Sequence, residues 1–530
     1  MSQQNIQSES LLRAAHLSFQ LDDGEFLFKD INLSLNKGLY GLVGRNGAGK
    51  SVLASILAGI LKPFSGSVEA DSIVHTFAQL PSEQLPGQTF SQYLRIDQKL
   101  HALQKIASGY CDSHYFDLVG DDWLLEQELN ELLTEMGLPA DTGLPCSVLS
   151  GGQLTRLNLW KLFNDKHRIL ILDEPSNHLD QKGKQWLIDS IRRFPGLLLL
   201  VSHDRQLLRQ TDTILELSSL GLTRYGGNYD HYWHQKNVEQ QAIQRQLLNA
   251  KRSYKNTERQ IQRNKEKAQK REAIGKQLRR SGSQPKILLD AMRDKATQSA
   301  SRQSAIADNR LSNAQEKIGS LNSRLEHYKP QKLAIPAASI RKSRLLHLLE
   351  VKQQHGSCKS VTFDLYSGDK LRLSGNNGSG KSLFLKSICG EVAGYKGEIS
   401  INTACIYLDQ HFSLINPERS ILENFLDYCP HLKQPEARTL LASVGGFRKE
   451  VVNRKVALLS GGERMKLSLL IVCHQQEQPL LLLDEPDNHL DLESKQLLAA
   501  ALNDYPGSFI LVSHDEDFCI ESGVQNEIKL

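Results

Sequence analysis

At 530 residues, with 40% hydrophobic and 23% charged residues, the chain has the length for two or three domains with their own cores and the composition of an ordinary globular protein. No stretch approaches the roughly 20 apolar residues that span a bilayer, and the N-terminus lacks the basic start and apolar core of a secretory signal. Eight cysteines without one Cys-x-x-Cys pair point away from a disulfide framework or metal site, and a cytoplasmic setting is expected, while the net charge of +4 conceals a basic block: residues 235–330 hold 22 Lys/Arg against 9 Asp/Glu.

In chain order, the first strong pattern is Gly44-Arg45-Asn46-Gly47-Ala48-Gly49-Lys50-Ser51, behind the apolar run Leu39–Val43. A glycine-rich turn between strand and helix lets backbone N–H groups wrap phosphates, with the helix dipole behind them. Lys50 is then placed for the β and γ phosphates and Ser51 for Mg²⁺. Gln79 closes a short strand-like stretch about 30 residues later and is suited to sensing metal and water. Over 91–128, Tyr93, Ile96, Leu100 and Leu103 recur at helical spacing. Leu149-Ser150-Gly151-Gly152-Gln153 follows. Next comes Ile171-Leu-Asp173-Glu174-Pro-Ser-Asn-His-Leu-Asp180, in which Asp173 ends an apolar strand as a metal ligand and Glu174 stands to orient or deprotonate water. Ser202-His203-Asp204 ends another apolar run and offers a histidine to the γ-phosphate.

The composition then changes. Residues 236–280 and 286–329 are rich in Gln, Lys, Arg and Ala with no internal proline. Leu247, Tyr254, Ile261 and Ala268 recur every seven residues, and Leu311, Ala314, Ile318, Leu321, Leu325 and Tyr328 alternate as a coiled-coil seam. Ser281-Gly-Ser-Gln-Pro285 interrupts both patterns, so the segment is expected to be an antiparallel helical hairpin with arms roughly 65 Å long. Its one-signed excess of charge suits a phosphate backbone, with Lys276, Arg279, Arg280, Gln284, Lys286 and Arg293 as candidate RNA contacts.

The whole set then repeats about 330 residues on. Gly375-Asn376-Asn377-Gly378-Ser379-Gly380-Lys381-Ser382 is followed by Gln410, by Leu459-Ser460-Gly461-Gly462-Glu463, by Asp484-Glu485-Pro-Asp487-Asn-His-Leu-Asp491 and by Ser513-His514-Asp515. Glu174 to His203 and Glu485 to His514 are both 29 residues, whereas Lys50 to Glu174 is 124 and Lys381 to Glu485 only 104. The first copy thus carries about 20 extra residues, assigned to a helical insertion over 91–128. Both copies have the groups for ATP hydrolysis with Mg²⁺, so two α/β P-loop domains, 11–233 and 341–530, are expected around a basic helical hairpin, 234–340.

Leu-Ser-Gly-Gly-Gln/Glu resembles the signature loop of the ATP-binding cassette superfamily, and the resemblance covers both halves. It implies that Ser460, Gly461, Gly462 and Glu463 close the site built on Lys50, and that Ser150, Gly151, Gly152 and Gln153 close the one built on Lys381. It also implies that Asp180 and Asp491 cross the interface. Two cassettes without a membrane span, Glu-Pro-x-Asn-His-Leu-Asp in both, the hairpin, and Tyr225-Gly-Gly-Asn-Tyr-Asp-His-Tyr232 leading into it look like the ABC-F proteins. That resemblance implies a cytoplasmic ATPase, monomeric with an intramolecular cassette pair, whose hairpin meets tRNA and rRNA on the ribosome. The insertion would be an arm touching the ribosome surface. Its range of roles, from stall relief and antibiotic resistance to initiation and assembly, would be decided at the tip, Ser281–Asp290. The alternatives are a transporter ATPase subunit, against which the long basic insert argues, and a DNA-acting relative with a C-terminal coiled coil.

Two departures bear on site two. Where the family has Thr, the copies have Ser176 and Asp487, and Asp487 is expected to crowd Glu485 and the metal. Phe19 is the candidate adenine-stacking aromatic of copy one, whereas Leu345–Lys359 offers only His347 and His355.

Overall fold

The computed structural model describes residues 11–530 apart from 23, 78–87, 136–137, 139–140, 142, 150, 165–166, 178, 282–304, 307–308, 323–342, 355–358, 377, 410–411, 444–446, 448–450, 476–477 and 489. The chain divides into two compact units, one formed by Met1–Tyr229 with Gln331–Leu530 and the other by Asp230–Pro330.

In the first cassette, β1 (Leu12–Gln20), β2 (Phe26–Leu35), β3 (Gly38–Gly44), α1 (Lys50–Leu57), β4 (Ser65–Ala70) and β5 (Val74–Phe77) come first. Four helices follow: α2 (Phe90–Leu94), α3 (Asp97–Ala107), α4 (Ser113–Val119) and α5 (Leu125–Glu135). The cassette continues through α6 (Gly151–Asn164), β6 (Ile169–Asp173), α7 (Gln181–Arg193), β7 (Leu197–Val201), α8 (Arg205–Leu208), β8 (Thr213–Ser218) and β9 (Gly221–Gly226). The sheet order β5-β6-β7-β3-β8-β9 puts β7 between the strands that end in Asp173 and in Gly44. Since β6, β7 and β3 run parallel, their carboxyl ends open on one side, where α/β sheets bind ligands. Both faces of β7 are covered, which explains its unbroken run of Leu and Val: every residue from Leu197 to Val201 is buried. The antiparallel sheet β2-β1-β4 packs its apolar face with α1 into a shared core through Leu12, Leu17, Ile31 and Leu53. A separate core, with Phe90, Leu129, Leu157 and Trp160, holds α2, α5 and α6.

The second unit contains nearly all of α9 (Tyr229–Ser281), 53 residues or about 80 Å at ~1.5 Å per residue. Residues 309–322 are also helical. Leu247 and Leu321 bury each other at 7% and 5% exposure, with Ile243, Ala250 and Ile318 alongside. Leu247, Ile318 and Leu321 are seam positions, so here the heptad pattern does make a helix–helix contact. The expected tip, 282–290, and the rest of the seam, Leu325 and Tyr328, lie outside the described residues.

The second cassette repeats the first as β10 (Arg344–Gln353), β11 (Val361–Tyr366), β12 (Lys370–Ser374), α10 (Lys381–Cys389), β13 (Tyr395–Ile401) and β14 (Cys405–Leu408). It continues through α11 (Ile421–Tyr428), α12 (Gln434–Ser443), α13 (Gly461–Cys473), β15 (Leu480–Asp484), α14 (Leu492–Asp504), β16 (Phe509–Val512), α15 (Glu516–Glu521) and β17 (Asn526–Lys529). Among the described residues, two helices therefore stand where the first cassette has four. The parallel sheet β14-β15-β16-β12-β17 again places one strand between the phosphate-loop strand and the strand ending in Asp484.

Candidate functional site

Each phosphate loop is shaped by glycines in a backbone conformation that L side chains rarely adopt. Gly49 and Gly380, the residues before α1 and α10, have φ of 92° and 91°, in the left-handed region, and a Cβ at Gly49 would lie 2.6 Å from Leu27. Neither helix has a side-chain cap, so its first N–H groups stay available to an anion. Lys50 and Lys381 fold back in the same way: each Nζ donates to the carbonyls of the first two loop residues at 2.9 and 3.1 Å. Burial lowers the pKa of both ammonium groups, opposed first by the nearby glutamate, Glu174 for Lys50 and Glu485 for Lys381.

Both candidate catalytic glutamates carry backbone strain. Glu174 has φ 46° and Glu485 φ 49°, and each peptide N–H is pinned to the neighbouring strand, to Val201 at 2.8 Å and Val512 at 2.9 Å. The turn after β6 and β15 thus points the carboxylates out of the sheet toward the loops. His203 Nε2 stands 3.8 Å from Glu174 Oε1, and His514 Nε2 3.5 Å from Glu485 Oε1.

A cavity of about 240 Å³ brings together Asn46, Lys50, Ser51, Asp173, Glu174 and His203 of site one. The same cavity is lined from the other cassette by Glu485, Asp487, Lys495 and His514. The aspartates expected to cross the interface lie at it. Asp491 caps α14 by accepting from Ser494 N at 2.8 Å, while its other oxygen accepts from Asn46 N in the first cassette at 2.9 Å. Asp180 caps α7 through Gly183 N at 2.8 Å, and its charge acts on Lys381 of the second cassette. Beside them Arg45 Nε reaches Glu493 at 2.7 Å.

The remaining candidates are less gathered. Ser460 caps α13 and its hydroxyl donates to Glu463 at 2.8 Å, a capping box that keeps Ser460 occupied with its own helix. Ser460, Gly461 and Gly462 are not among the residues lining the central cavity, although Lys466, in the second turn of α13, feels the charges of Asp491, Arg45 and Glu493. Gly151, Gly152 and Gln153 open α6. Phe19 lies half-buried on β1, 6.2 Å from Phe28, packed against the core. Ser150, Gln79, Gln410, Asn377, Gln284, Lys286 and Arg293 lie outside the described residues, as do the side chains of Lys276, Arg279 and Arg280 on α9.

The two sites differ electrostatically. Burial pushes Glu174 up to about 7 and His203 down to about 3. Glu485 moves the other way, held below its ordinary value first by a hydrogen bond from His514. Asp173 is raised by burial, opposed by the Ser51 hydroxyl and Lys50. Its Oδ1 is buried without a hydrogen-bond partner, and an orphaned carboxylate oxygen next to the P-loop serine fits a hard cation such as Mg²⁺. In site two Tyr407 Oη donates to Asp484 Oδ2 at 2.7 Å, a contact no sequence motif indicated.

Asp487 corrects an expectation. It is only 2% exposed and turns toward Lys495 and Ser513, with burial as the main cause of its raised pKa, and it is absent from the groups that shift Glu485 most. The lysines around it were also missed. Lys184 and Lys495 both stand four residues after the crossing aspartate, and each pairs with the Asp of Ser-His-Asp, at 2.7 and 3.3 Å.

The ABC transporter family model matches residues 28–177 and 358–488, one match per cassette. The ATP-binding protein Uup of Haemophilus influenzae is 29% identical over 90% of this chain and 72% of its own length. YfmM, an ABC transporter ATP-binding protein of Bacillus subtilis, is 28% identical over 97% of both. The ABC transporter F family member 5 of Arabidopsis thaliana is 27% identical over 93% of this chain and 71% of its own. Among solved structures, the archaeal ribosome recycling factor aABCE1, in complex with the ribosomal stalk protein aP1, superposes with a TM-score of 0.53 at 17% identity, covering 97% of this chain and 87% of that one. With a family-model match in each of two cassettes, the chain belongs to the ABC transporter family. Its activity is that of an ATPase.

Proposed function

We propose that the protein couples ATP-driven closure of its cassettes, 11–233 and 341–530, to binding of the ribosome in the cytoplasm through its basic hairpin, 234–340. The observation that carries this reading is the pairing of two hydrolytic constellations with one block of 22 Lys/Arg against 9 Asp/Glu. ATP is held by Lys50 and Lys381 with their loops, and each signature closes the opposite site. Ser51 with Asp173, and Ser382 with Asp484, would hold Mg²⁺, with Gln79 and Gln410 as further candidates, and the ion would neutralise charge on the phosphates. Glu174 or Glu485 takes the proton as the water oxygen bonds to the γ-phosphorus and the bond to the β-phosphate oxygen breaks. His203 and His514 hold the γ-phosphate end. ADP and phosphate leave, the cassettes separate, and the hairpin withdraws from tRNA and rRNA.

Besides the charge, the structural neighbour aABCE1 is a ribosome recycling factor. Among the described residues no helix is long and apolar enough to cross a membrane, and no permease partner is proposed. The double variant E174Q/E485Q with ATP is expected to co-sediment with ribosomes at moderate salt, and wild type much less so. Failure of the double variant to co-sediment, or preference for branched DNA over ribosomes, would overturn the ribosomal reading.

A further inference from the structure

The centre of the cassette interface holds a charge cluster that duplication alone does not explain. Lys184 and Lys495 occupy matching places in the first turns of α7 and α14, each paired to the aspartate after its candidate catalytic histidine. Asp204 and Asp515 also cap the following helices, so both lysine partners are rigidly held. The asymmetry is Asp487, whose counterpart is the uncharged Ser176. Its Oδ2 is 3.9 Å from Lys495 Nζ and its Oδ1 is buried without a hydrogen-bond partner. Lys495 therefore has two carboxylates of its own cassette around it and feels Asp204 across the interface, whereas Lys184 makes a 2.7 Å pair with Asp204 and feels Asp487 only across the interface. A buried carboxylate is costly unless it is paired and hydrogen-bonded, and here Lys495 and the Ser513 hydroxyl supply the compensation.

Lys495 also lines the cavity shared with Lys50, Asp173, Glu174 and His203 of the first cassette. Its charge acts across the interface on both Glu174 and His203. An ammonium released from Asp487 would compete for the Glu174 carboxylate, the base assigned above to site one.

We propose that Asp487 is a positioning residue acting in trans: by holding Lys495 from a second side, it keeps that ammonium off Glu174, so turnover at site one depends on Asp487 and turnover at site two does not. The inference rests on the reading that Glu174 and Glu485 carry hydrolysis, and it makes the second cassette's unusual residue a determinant of the first cassette's rate.

The test places D487S, which copies the first cassette, into two single-site backgrounds. With E485Q, where only site one turns over, kcat is expected to fall about tenfold, equivalent to ~1.4 kcal/mol, with KM for ATP held within about twofold. With E174Q, where only site two turns over, kcat is expected to stay within about twofold. D487N, which keeps the shape without the charge, should behave as D487S, and carries the test should D487S not fold. In the E485Q background D487S/K495M should be no slower than K495M alone, since the effect passes through the lysine. Equal loss at both sites, a change in KM only, or additive effects of D487S and K495M would overturn the proposal. Near-wild-type turnover by E174Q/E485Q would instead overturn the assignment of the glutamates, and the proposal with it.

Discussion

Glu174 and Glu485 share a strained backbone and a histidine neighbour yet stand in opposite electrostatic settings, and pH separates them. A base works only when ionised, so site one should lose activity as pH falls through about 7, where burial has pushed Glu174. Measured as kcat/KM for ATP, the E485Q variant is expected to gain activity as pH rises through that range. The E174Q variant should be flat there, because hydrogen bonding holds Glu485 below the ordinary carboxylate value. Coincident profiles would contradict the assignment. Tyr407 makes a second residue-scale difference: its hydroxyl competes for the Asp484 carboxylate. In the E174Q background, Y407F should lower the Mg²⁺ concentration for half-maximal turnover by about three- to tenfold, the worth of one hydrogen bond. These contrasts were illegible in the sequence for a physical reason. Asp484 and Tyr407 are 77 residues apart, and Lys495 and Asp515 are 20, so neither pair sits within a motif. The phosphate loops were legible because eight contiguous residues encode their backbone.

Among the elements, the interface is latched by short helices. Arg209 of the segment ending α8 makes a bidentate pair with Asp517 in α15 at 2.7 and 3.1 Å, and Arg205 reaches Glu521 at 2.7 Å. Gln181 at the start of α7 donates to Glu516. Each donor belongs to the first cassette and each acceptor to the second. Removing the bidentate pair by R209A should weaken closure by ~1 kcal/mol, raising the ATP needed for half-closure about fivefold in a scattering or energy-transfer titration. An unchanged titration would show the latch to be ornamental. The contact between the two heptad-patterned segments was legible from sequence because packing of long helices is encoded in a repeat, and Leu247, Ile318 and Leu321 meet as that repeat requires. The fate of Asp487 was not: spacing places it beside Glu485, but side-chain direction, set by the turn after β15, sends it to Lys495. Shortening both hairpin arms by equal numbers of heptads should leave basal ATPase within about twofold while ribosome binding is lost. Loss of both would make the hairpin a structural part of the ATPase.

At the scale of the whole molecule, the two copies form one compact unit whose sites are joined through a common charged cavity, while the other unit, Asp230–Pro330, carries the basic excess. The duplicated motifs made the tandem-cassette architecture legible, but the meeting of the copies depends on contacts between residues hundreds of positions apart, such as Asn46 with Asp491. Binding through the basic unit should weaken steeply with salt, as phosphate contacts require. The most direct measurement is a cryo-EM map of the E174Q/E485Q variant bound to ribosomes with ATP. Density for closed cassettes with the 234–340 segment against tRNA or rRNA is the predicted result. Cassettes bound to the particle with that segment directed into solvent would contradict it.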